Sequence, residues 1–513
     1  MNAKTKCLHG LWGVVRNEMN RESGKSIENI TRAYHTLNHA AEAINDELLK
    51  HFSDPPDWTS VLDSLAVHDD SEWQVSVEVG DVLKMLQQLK PRKAAGSDGL
   101  PSRFLKAAAN ELAGPLAHLI ALSIETRMVP AAWKLGHVIP VPKCNSPTLS
   151  DLRPLSMLPI FSKVLERVVL KSVQTKLINM YGENQFGFRP KSSTLHAHIS
   201  VHDYITRVLD STSAVGVVMV SYDMSKAFDR LKHDCLLNSL KDGSLPTPFL
   251  NWCISFLMDR RQCVRINHCI SLPRCVTSGI PQGSVLAPYF FAAHIGSWRT
   301  DDAHSIIIKF ADDVLRLTVL YGDEDAQKLM RDGVTEVKDW CATNGLVLNQ
   351  DKTKCMLVMK PRLKLISPAY DVLKELKILG VTYESNLSWD SHIDDVCKKA
   401  NRRLYILRKM KYKVSKEDLI KIYNAIILGT LEYASPLFVG MKLKLKQKIE
   451  RVRKRCHRII CRHECKCDLL PEIQQRRKHS LKIFKEMTES SHILHHLLPP
   501  MLPRTLHFSM PQC

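Results

Sequence analysis

The sequence predicts an α+β fold, with mixed strands and helices in the middle of the chain and helices on either side. Two observations predict the strands: an apolar run at 215–222 that ends at Asp223, and two apolar runs that flank Asp312 and Asp313. A third predicts a helix between them and the last strand, because Met330, Val334, Val337 and Cys341 recur at helical spacing.

The elements before residue 215 follow from periodicity and from turn residues. Residues 1–75 read as a polar, helical extension that ends in a proline-rich break, and a helical pattern follows from 76. We expect the helix from Ser102 to break at Gly114-Pro115, because proline removes a helical hydrogen bond. The remaining elements are a strand at 137–142, an extended piece at 152–155 and an amphipathic helix at 162–180.

The middle of the chain has the element order of a split, ferredoxin-like βαββαβ unit. We predict a strand at 215–223, helices near 230–240 and 247–258, a hairpin at about 305–319, a helix, and a strand at 355–359. In such a unit the first strand and the hairpin lie side by side. Asp223 and Asp312 are therefore expected to converge, although they lie 312 − 223 = 89 residues apart.

Length and composition are those of a multi-domain globular protein. The chain has 513 residues, of which 44% are hydrophobic and 24% charged, and about three domains are expected. No apolar run reaches the roughly 18 residues that span a bilayer, and Met1–Arg16 lacks the apolar core of a signal peptide. The 15 scattered cysteines suggest reduced thiols. We therefore expect a nuclear or cytoplasmic protein that is neither secreted nor membrane-spanning.

The charge distribution combines an overall basic chain with a local acidic cluster. The net charge of +19 favours a polyanionic partner, or else only a solvated basic surface. Carboxylates beside buried strands are costly unless a cation neutralises them. Divalent metal ions would neutralise Asp223, Asp312 and Asp313, and would point to phosphoryl transfer on a nucleic acid. Taken alone, the Asp pair is more typical of a polar turn.

Nine short motifs now occur in one order along the chain. They are Ala95-Gly96-Ser97-Asp98-Gly99, Pro140-Val141-Pro142-Lys143, Leu152-Arg153-Pro154-Leu155-Ser156, Gln185-Phe186-Gly187-Phe188-Arg189, Asp223-Met224-Ser225-Lys226-Ala227-Phe228-Asp229, Gly279-Ile280-Pro281-Gln282-Gly283-Ser284, Phe310-Ala311-Asp312-Asp313, Asn344-Gly345-Leu346 with Asn349 and Lys352, and Leu379-Gly380-Val381. With these motifs in this order, the chain resembles the reverse transcriptases of non-long-terminal-repeat (non-LTR, LINE-type) retrotransposons, most of all the jockey-related group.

The resemblance implies a right-hand polymerase. It assigns fingers to 76–210, a βαββαβ palm to 211–385, a helical thumb to 386–460 and a basic C-terminal tail to 461–513, after the 1–75 extension. LINE-type proteins usually carry an upstream endonuclease, and residues 1–75 are too few to hold one. The implied reaction is RNA-directed DNA synthesis.

The resemblance also assigns metal ligands. Asp223 and Asp312 become the principal ligands of two Mg²⁺ ions, with Mn²⁺ as a possible substitute. Asp313 is either a third metal ligand or a hydrogen-bond acceptor in the turn that only shapes the local electrostatic field. Lys352 is either the proton donor to pyrophosphate or a solvated charge.

Five residues are assigned to the nucleotide. Phe228 would exclude a ribose 2′-hydroxyl, although alone it reads as a core aromatic. Gln282 and Gly283 form a loop against the incoming nucleotide, or an ordinary entry turn to a helix. Lys143 and Arg153 would hold the triphosphate.

Template and primer contacts are expected from basic segments. Arg189 lies in a basic loop, and Lys454 and Arg455 lie in a run at 442–458 with nine cations and one acid. The group Cys456, Cys461, Cys465 and Cys467, with His457 and His463, invites a zinc site, but its spacing matches neither common zinc pattern. Packing and phosphate contact are the alternative.

The predicted function is an RNA-directed DNA polymerase that uses an RNA template, a DNA primer and deoxynucleoside triphosphates. A ribonucleoprotein with the element's own transcript is a further expected partner, and no membrane is expected. Two alternatives stay open: an RNA-directed RNA polymerase, and an inactive retroelement remnant that only binds RNA or DNA.

Overall fold

The computed structural model describes residues 12–13, 15, 27–66, 73–144, 146–322, 324–360, 372–461 and 472–498. Its strands are β1 Leu135–Pro142, β2 Leu152–Met157, β3 Ala214–Tyr222, β4 Arg261–Ile266, β5 Cys269–Ile270, β6 Arg274–Cys275, β7 Ser305–Phe310, β8 Asp313–Tyr321, β9 Lys354–Met359, β10 Glu375–Ile378 and β11 Val381–Glu384. Helices and strands are mixed along the chain, so the predicted α+β class is confirmed.

The α-helices lie before, between and after these strands. They are Glu28–Thr31, Leu37–Leu49, Trp58–Ala66, Val79–Gln87, Ser102–Ala107, Ala109–Glu125, Ile160–Asn179, Thr194–Asp210, Ala227–Arg230, His233–Asp242, Thr247–Leu257, Ala287–Gly296, Ala326–Thr343, Asp390–Met410, Lys416–Ile422, Gly429–Leu431, Leu443–Cys461 and Glu472–Met487. Among the described residues, no helix combines the length and the apolar character needed to cross a bilayer.

The central sheet has the predicted βαββαβ arrangement. Its four strands lie in the order β7-β8-β3-β9, and every neighbouring pair is antiparallel. The strand β3 therefore pairs directly with β8 of the hairpin, as expected from the sequence. In a strand, successive side chains point to opposite faces. Because nearly all of β3 is buried, both faces of this sheet must be covered.

Two hydrophobic cores cover the two faces of this sheet. Val218, Val220 and Tyr222 of β3 pack with helices such as Thr247–Leu257 and Ala287–Gly296. Val217 and Met219 pack on the other face with the helices from 194 to 210 and from 390 onwards. The alternation explains why β3 reads as a continuous apolar run and not as a half-polar strand.

A second sheet carries the motifs around Lys143 and Arg153. Here β1 pairs antiparallel with β2 and parallel with β4, so the predicted strand and the extended piece form a pair. The helix Leu37–Leu49 packs on this sheet, where Ile44 and Leu48 are buried beside Val138 and Leu152. The 27–66 segment thus contributes to the core next to β1.

One predicted helix break is wrong. The helix Ala109–Glu125 continues through Gly114 and Pro115, and the interruption falls at Ala108 instead. Proline costs a hydrogen bond inside a helix. Here the buried face of the helix, which includes Ala113, Leu116 and Ile120, packs against the neighbouring helices on both sides of the proline. Tertiary packing therefore outweighs the local penalty.

Candidate active site

Asp223 and Asp312 line one cleft of about 730 Å³. Asp223 directly follows β3, and the register pairs Tyr222 with Val314 in β8. Asp312 lies in the two-residue turn between β7 and β8, whose closing pair is Phe310 and Asp313. The sheet pairing therefore brings together two acids that are far apart in the sequence.

Backbone contacts from the 184–187 segment hold the turn in place. The amide of Phe186 donates to the carbonyl of Lys309 at 2.9 Å, and the amide of Lys309 donates to Asn184. A Cβ added to Gly187 would lie 2.4 Å from the backbone nitrogen of Ala311. Ala311 itself has φ of 57°, in the left-handed region that alanine rarely adopts. This strained turn sets the position of Asp312.

Asp313 has a different environment from its neighbour. It lines a separate small cavity with His198, Ile378 and Leu379, on the side of the sheet that faces the 194–210 helix. Asp313 is exposed as a residue, but desolvation of its carboxyl group, followed by repulsion from Asp312 and Asp223, raises the pKa of Asp313 to about 6. Its carboxylate thus interacts with both other acids while lying outside the cleft lining. Direct ligation by Asp313 stays a prediction.

Lys352 lies beside Asp223, with Nζ 3.6 Å from Oδ2. The segment after the helix Ala326–Thr343 is bonded to the end of β3: the amide of Asn349 donates to the carbonyl of Asp223 at 2.8 Å. The Asn349 side chain also accepts from the amide of Lys352 and caps its turn. Lys352 is largely exposed, so it can reach a ligand in the cleft.

The donor set suits a magnesium site. Mg²⁺ binds through one or two carboxylates together with substrate phosphates and water. Asp223 and Asp312 supply two carboxylates on one cleft, and their charge is only partly offset by the exposed Lys352. The residues present therefore fit a divalent cation that a phosphate ligand helps to hold.

The Gln282 loop is fixed by backbone contacts to two neighbours. The amide of Ser156 in β2 donates to the carbonyl of Gln282 at 2.8 Å, and that of Ile280 donates to the carbonyl of Phe228. Gly283 has φ of 138°, and a Cβ there would lie 2.3 Å from the Ser156 carbonyl oxygen. Glycine is required at this close approach. The Gln282 side chain donates to Asp229 Oδ1 at 2.8 Å.

Phe228 lines the same cleft, and the residue is partly exposed. The ring stacks on Phe291 with centroids 4.4 Å apart, and it meets Phe188 edge-on at 6.4 Å. Phe291 is buried in the helix Ala287–Gly296. The ring is thus held from beneath by the core while its edge borders the cleft, and this arrangement is compatible with both sequence interpretations.

Lys143 and Arg153 also line the cleft, near the end of the β1–β2 pair. Two cations that the sequence analysis did not single out, Lys226 and Arg230, join them there. Lys226 Nζ is a buried atom without a hydrogen-bond partner in the described structure. These four cations and Lys352 therefore line the same cleft as its acids, and this combination suits a polyphosphate.

Sequence reasoning also missed Glu166. This fully buried carboxylate, in the helix Ile160–Asn179, accepts hydrogen bonds from the amides of Val285 and Leu286 at 2.6 and 3.1 Å. It thereby caps the entry to the helix Ala287–Gly296 and fixes the end of the Gln282 loop. A glutamate in an amphipathic helix gives no local signal for such a role, since its partners lie about 120 residues away.

The three predicted template or primer residues do not line the cleft. Arg189 donates to the carbonyls of Gly182 and Gln185 and lies over the Tyr181 ring, so much of its guanidinium is already engaged. Lys454 and Arg455 are exposed on the helix Leu443–Cys461. Their contacts with nucleic acid stay predictions.

The cysteine group is only partly described. Cys456 and Cys461 lie in the helix Leu443–Cys461, as does His457. His463, Cys465 and Cys467 lie outside the described residues. Cys461 is disulfide-bonded, so the expectation of a reduced thiol is wrong at this position and Cys461 offers no thiolate to zinc. A zinc site at the rest of the group stays a prediction.

Comparison with known proteins gives a match to one family profile. The profile described as "Reverse transcriptase (RNA-dependent DNA polymerase)" matches residues 141–383, the range that holds the cleft acids. The chain is 26% identical over 351 residues to the probable RNA-directed DNA polymerase from transposon BS of Drosophila melanogaster, covering 65% of this chain and 38% of the relative. It is 25% identical over 382 residues to the RNA-directed DNA polymerase from mobile element jockey of Drosophila funebris, covering 71% and 41%.

The chain spans about two-fifths of the length of these curated relatives. Among solved structures, apo telomerase from Candida tropicalis is similar with a TM-score of 0.40 and 11% identity, over 76% of this chain and 73% of that one.

Proposed function

We propose that this chain, which belongs to the reverse transcriptase family of non-LTR, LINE-type retrotransposons, extends a DNA primer on an RNA template with deoxynucleoside triphosphates. One observation carries the proposal. The family profile covers a cleft in which Asp223 and Asp312 lie together with Phe228, Gln282 and a group of cations. Acids for metal ions and cations for phosphates on a single cleft are what nucleotidyl transfer requires.

The proposed reaction is a phosphoryl transfer. The primer 3′-hydroxyl loses its proton to water as its oxygen bonds to the α-phosphorus of the nucleotide, the bond from that phosphorus to the β-phosphate oxygen breaks, and pyrophosphate leaves. Asp223 and Asp312 would hold two Mg²⁺ ions, or Mn²⁺, which supply charge stabilisation at the attacking and leaving oxygens when bound. The chain's own residues orient the reactants around this exchange.

Basic residues act on the triphosphate in this proposal. Lys143 and Arg153 bind its oxygens, with Lys226 beside them, because all three border the cleft. Lys352 donates the proton that the leaving pyrophosphate takes up, from a position next to Asp223. Together these residues replace the solvent that surrounds the phosphates in water.

Phe228 and Gln282 select and place the nucleotide. The Phe228 ring is held by Phe291, so it cannot yield to a ribose 2′-hydroxyl without disturbing the core. Gln282, oriented by Asp229 at 2.8 Å, faces the incoming base, with Gly283 allowing close approach of the backbone. Both side chains line the cleft, and both also line a smaller neighbouring pocket.

We also propose the domain division and the partners. Fingers at 76–210, palm at 211–385, thumb at 386–460 and tail at 461–513 hold the RNA template and DNA primer between them. Arg189, Lys454 and Arg455 contact their backbones, and the chain forms a ribonucleoprotein with its own transcript in the nucleus or cytoplasm.

Primer extension with Asp312→Asn tests the proposal. The wild-type chain, supplied with an RNA template, a DNA primer, deoxynucleotides and Mg²⁺, should extend the primer, and the variant should lose more than about 100-fold of the rate because one charge partner is removed. Asp332→Asn, on the exposed face of the helix Ala326–Thr343, is the matched control and should keep the wild-type rate. Equal rates for wild type and Asp312→Asn would refute the mechanism.

The same assay separates the two alternatives. An RNA polymerase would prefer ribonucleotides, and an inactive remnant would extend with neither substrate. In Phe228→Ala, we expect ribonucleotide incorporation to rise by about 10-fold or more, because a pocket that loses a large side chain discriminates less. Phe104→Ala, which removes an exposed side chain from the helix Ser102–Ala107, controls for loss of an aromatic ring. Unchanged sugar selectivity in Phe228→Ala would reject its assigned role.

A further inference from the structure

A group of potential metal ligands lies away from the cleft. Within the part of the chain that the structure describes, His196, Glu486 and His492 are the group of three such residues whose ligand atoms all lie within 4.8 Å of one another. His196 is in the helix Thr194–Asp210, which packs on the central sheet. Glu486 and His492 belong to the helix Glu472–Met487 and the turn after it. The group therefore joins the helix Glu472–Met487 and its following turn to the helix Thr194–Asp210.

Two ring nitrogens in this group have no hydrogen-bond partner among the described residues. These buried atoms are His196 Nδ1 and His492 Nε2. The two rings meet edge to face, with centroids 5.0 Å apart and planes at 77°. An unsatisfied buried nitrogen costs on the order of 1–3 kcal/mol. Two such atoms next to a carboxylate indicate that a ligand satisfies them.

We propose that His196, Glu486 and His492 bind a Zn²⁺ ion that fastens the helix Glu472–Met487 to the helix Thr194–Asp210. Two imidazoles and one carboxylate form a common zinc set, with water as the fourth ligand. Imidazole nitrogen excludes Mg²⁺ and Ca²⁺ as the preferred ions, since both favour oxygen. Tetrahedral zinc holds such atoms about 3.4 Å apart, so small side-chain rotations complete the site.

Zinc binds histidine as the neutral imidazole and glutamate as the carboxylate. The other neighbour of Glu486 is Lys482, at 3.8 Å on the exposed face of the same helix, where an ion pair is a weak competitor.

Zinc binding moves one ring proton. His492 Nδ1 now accepts from the amide of Leu494 at 3.2 Å. When Nε2 binds zinc, Nδ1 carries the proton, and this contact is given up. The segment that follows the helix Glu472–Met487 is not held by this contact alone, because Arg207 donates to the carbonyl of Leu497 at 3.1 Å. Variants in the group should therefore keep the helix folded.

Zinc analysis of the full chain tests the site. After loading with Zn²⁺ and removal of weakly bound metal, Glu486→Gln and His492→Gln should each hold one zinc fewer per chain than wild type. The affinity of each variant for zinc should fall by more than about 100-fold. This loss exceeds the one expected for a residue that only hydrogen-bonds to a metal ligand. His495→Gln is the matched control, because His495 lies in the same turn and its ring contacts the Met487 carbonyl instead.

A cobalt spectrum distinguishes this site from the cysteine group. Co²⁺ bound to the Cys465→Ser/Cys467→Ser variant should give visible d–d absorption without a thiolate charge-transfer band, and Zn²⁺ should raise its unfolding temperature. A variant that binds no cobalt would overturn the proposal. Equal zinc in His492→Gln and His495→Gln would overturn it as well, and would leave the two rings as a packing contact. Neither readout depends on polymerase activity.

Discussion

At the residue scale, acids and cations are mixed along the lining of the cleft. Asp229 lies among Lys226, Lys143 and Arg153. Burial raises its pKa to about 6, although the hydrogen bond from Gln282 and the three cations act in the opposite direction. Desolvation therefore outweighs the attraction of the cations at this position.

This shift predicts how stability depends on pH. In the unfolded chain an aspartate titrates near pH 3.9, so folding raises the pKa of Asp229. The protonated carboxyl stabilises the fold fully below about pH 4, and this contribution is lost as the pH rises through about 6. Relative to wild type, Asp229→Asn should therefore gain stability between about pH 5 and pH 8, on the order of 1 kcal/mol.

Thermal unfolding of both proteins at the two pH values measures the gain. Asp332→Asn, an exposed carboxylate on the helix Ala326–Thr343, should show no such change with pH. If the difference in unfolding temperature between Asp229→Asn and wild type is the same at both pH values, the carboxyl of Asp229 titrates normally.

At the element scale, the β7–β8 hairpin depends on the 184–187 segment for the position of its turn. The segment pairs with β7 at Lys309, whose buried ammonium in turn donates to the carbonyls of Ile295 and Trp298 at 3.0 and 2.9 Å. One side of the hairpin is thus tied to the end of the helix Ala287–Gly296, and its turn rests on Gly187. The hairpin turn is positioned by elements on both sides.

Gly187→Ala should move the turn. Its methyl group would lie 2.4 Å from a backbone atom of Ala311, so the residue before Asp312 must shift. We expect the single-turnover rate of nucleotide addition to fall by about 10-fold to 100-fold, because displacements of about 1 Å are that costly in a reaction that depends on orientation. The unfolding temperature should also fall.

Gly114→Ala provides the control for this substitution. A Cβ at Gly114 meets no atom within 4 Å, and alanine suits the interior of the helix Ala109–Glu125. This variant should keep the wild-type rate. A wild-type rate in Gly187→Ala would show that the turn tolerates the displacement and that Asp312 is positioned by other contacts.

At the scale of the whole molecule, the net charge of +19 attracts nucleic acid over a surface wider than the cleft. Lys454 and Arg455 lie on the exposed face of the helix Leu443–Cys461, whose buried face includes Ile449, Val452 and Cys456. The apolar stripe determines which face packs inward, and the two cations lie on the exposed face, where Arg455 also donates to Asn401 Oδ1 at 3.2 Å. Binding should therefore depend on phosphate contacts more than on base sequence.

Measuring the affinity for a primer–template at several salt concentrations tests whether binding depends on phosphate contacts. For wild type, the logarithm of the association constant should fall steeply with the logarithm of salt concentration. Lys454→Gln/Arg455→Gln should reduce that slope by about 2, with little change in sequence preference. Arg103→Gln/Lys176→Gln, two exposed cations on helices before β3, should leave the slope nearly unchanged if the primer–template lies on the thumb. Equal effects of the two pairs would contradict the assigned surface.

Part of this arrangement could be predicted because its causes are local. Short apolar runs that end at acids, together with the order of the elements, predict β3, the hairpin and the convergence of Asp223 with Asp312. The break at Gly114-Pro115 was predicted from a local rule and is wrong, since packing on both sides of Pro115 keeps the helix intact. Local rules fail where distant partners supply more free energy than the residue itself costs.

By itself, the sequence determined the order of the elements, the sheet that they form and the strand ends at which the acids lie, because these depend on the periodicity of neighbouring residues. Only the tertiary structure decided that Asp313 lines a different cavity from Asp312, that Glu166 caps a helix about 120 residues away, and that His196 meets Glu486 and His492. Each of these depends on burial beside a distant segment. Burial determines whether a polar group needs a partner, and the chain's own periodicity does not specify which partner that is.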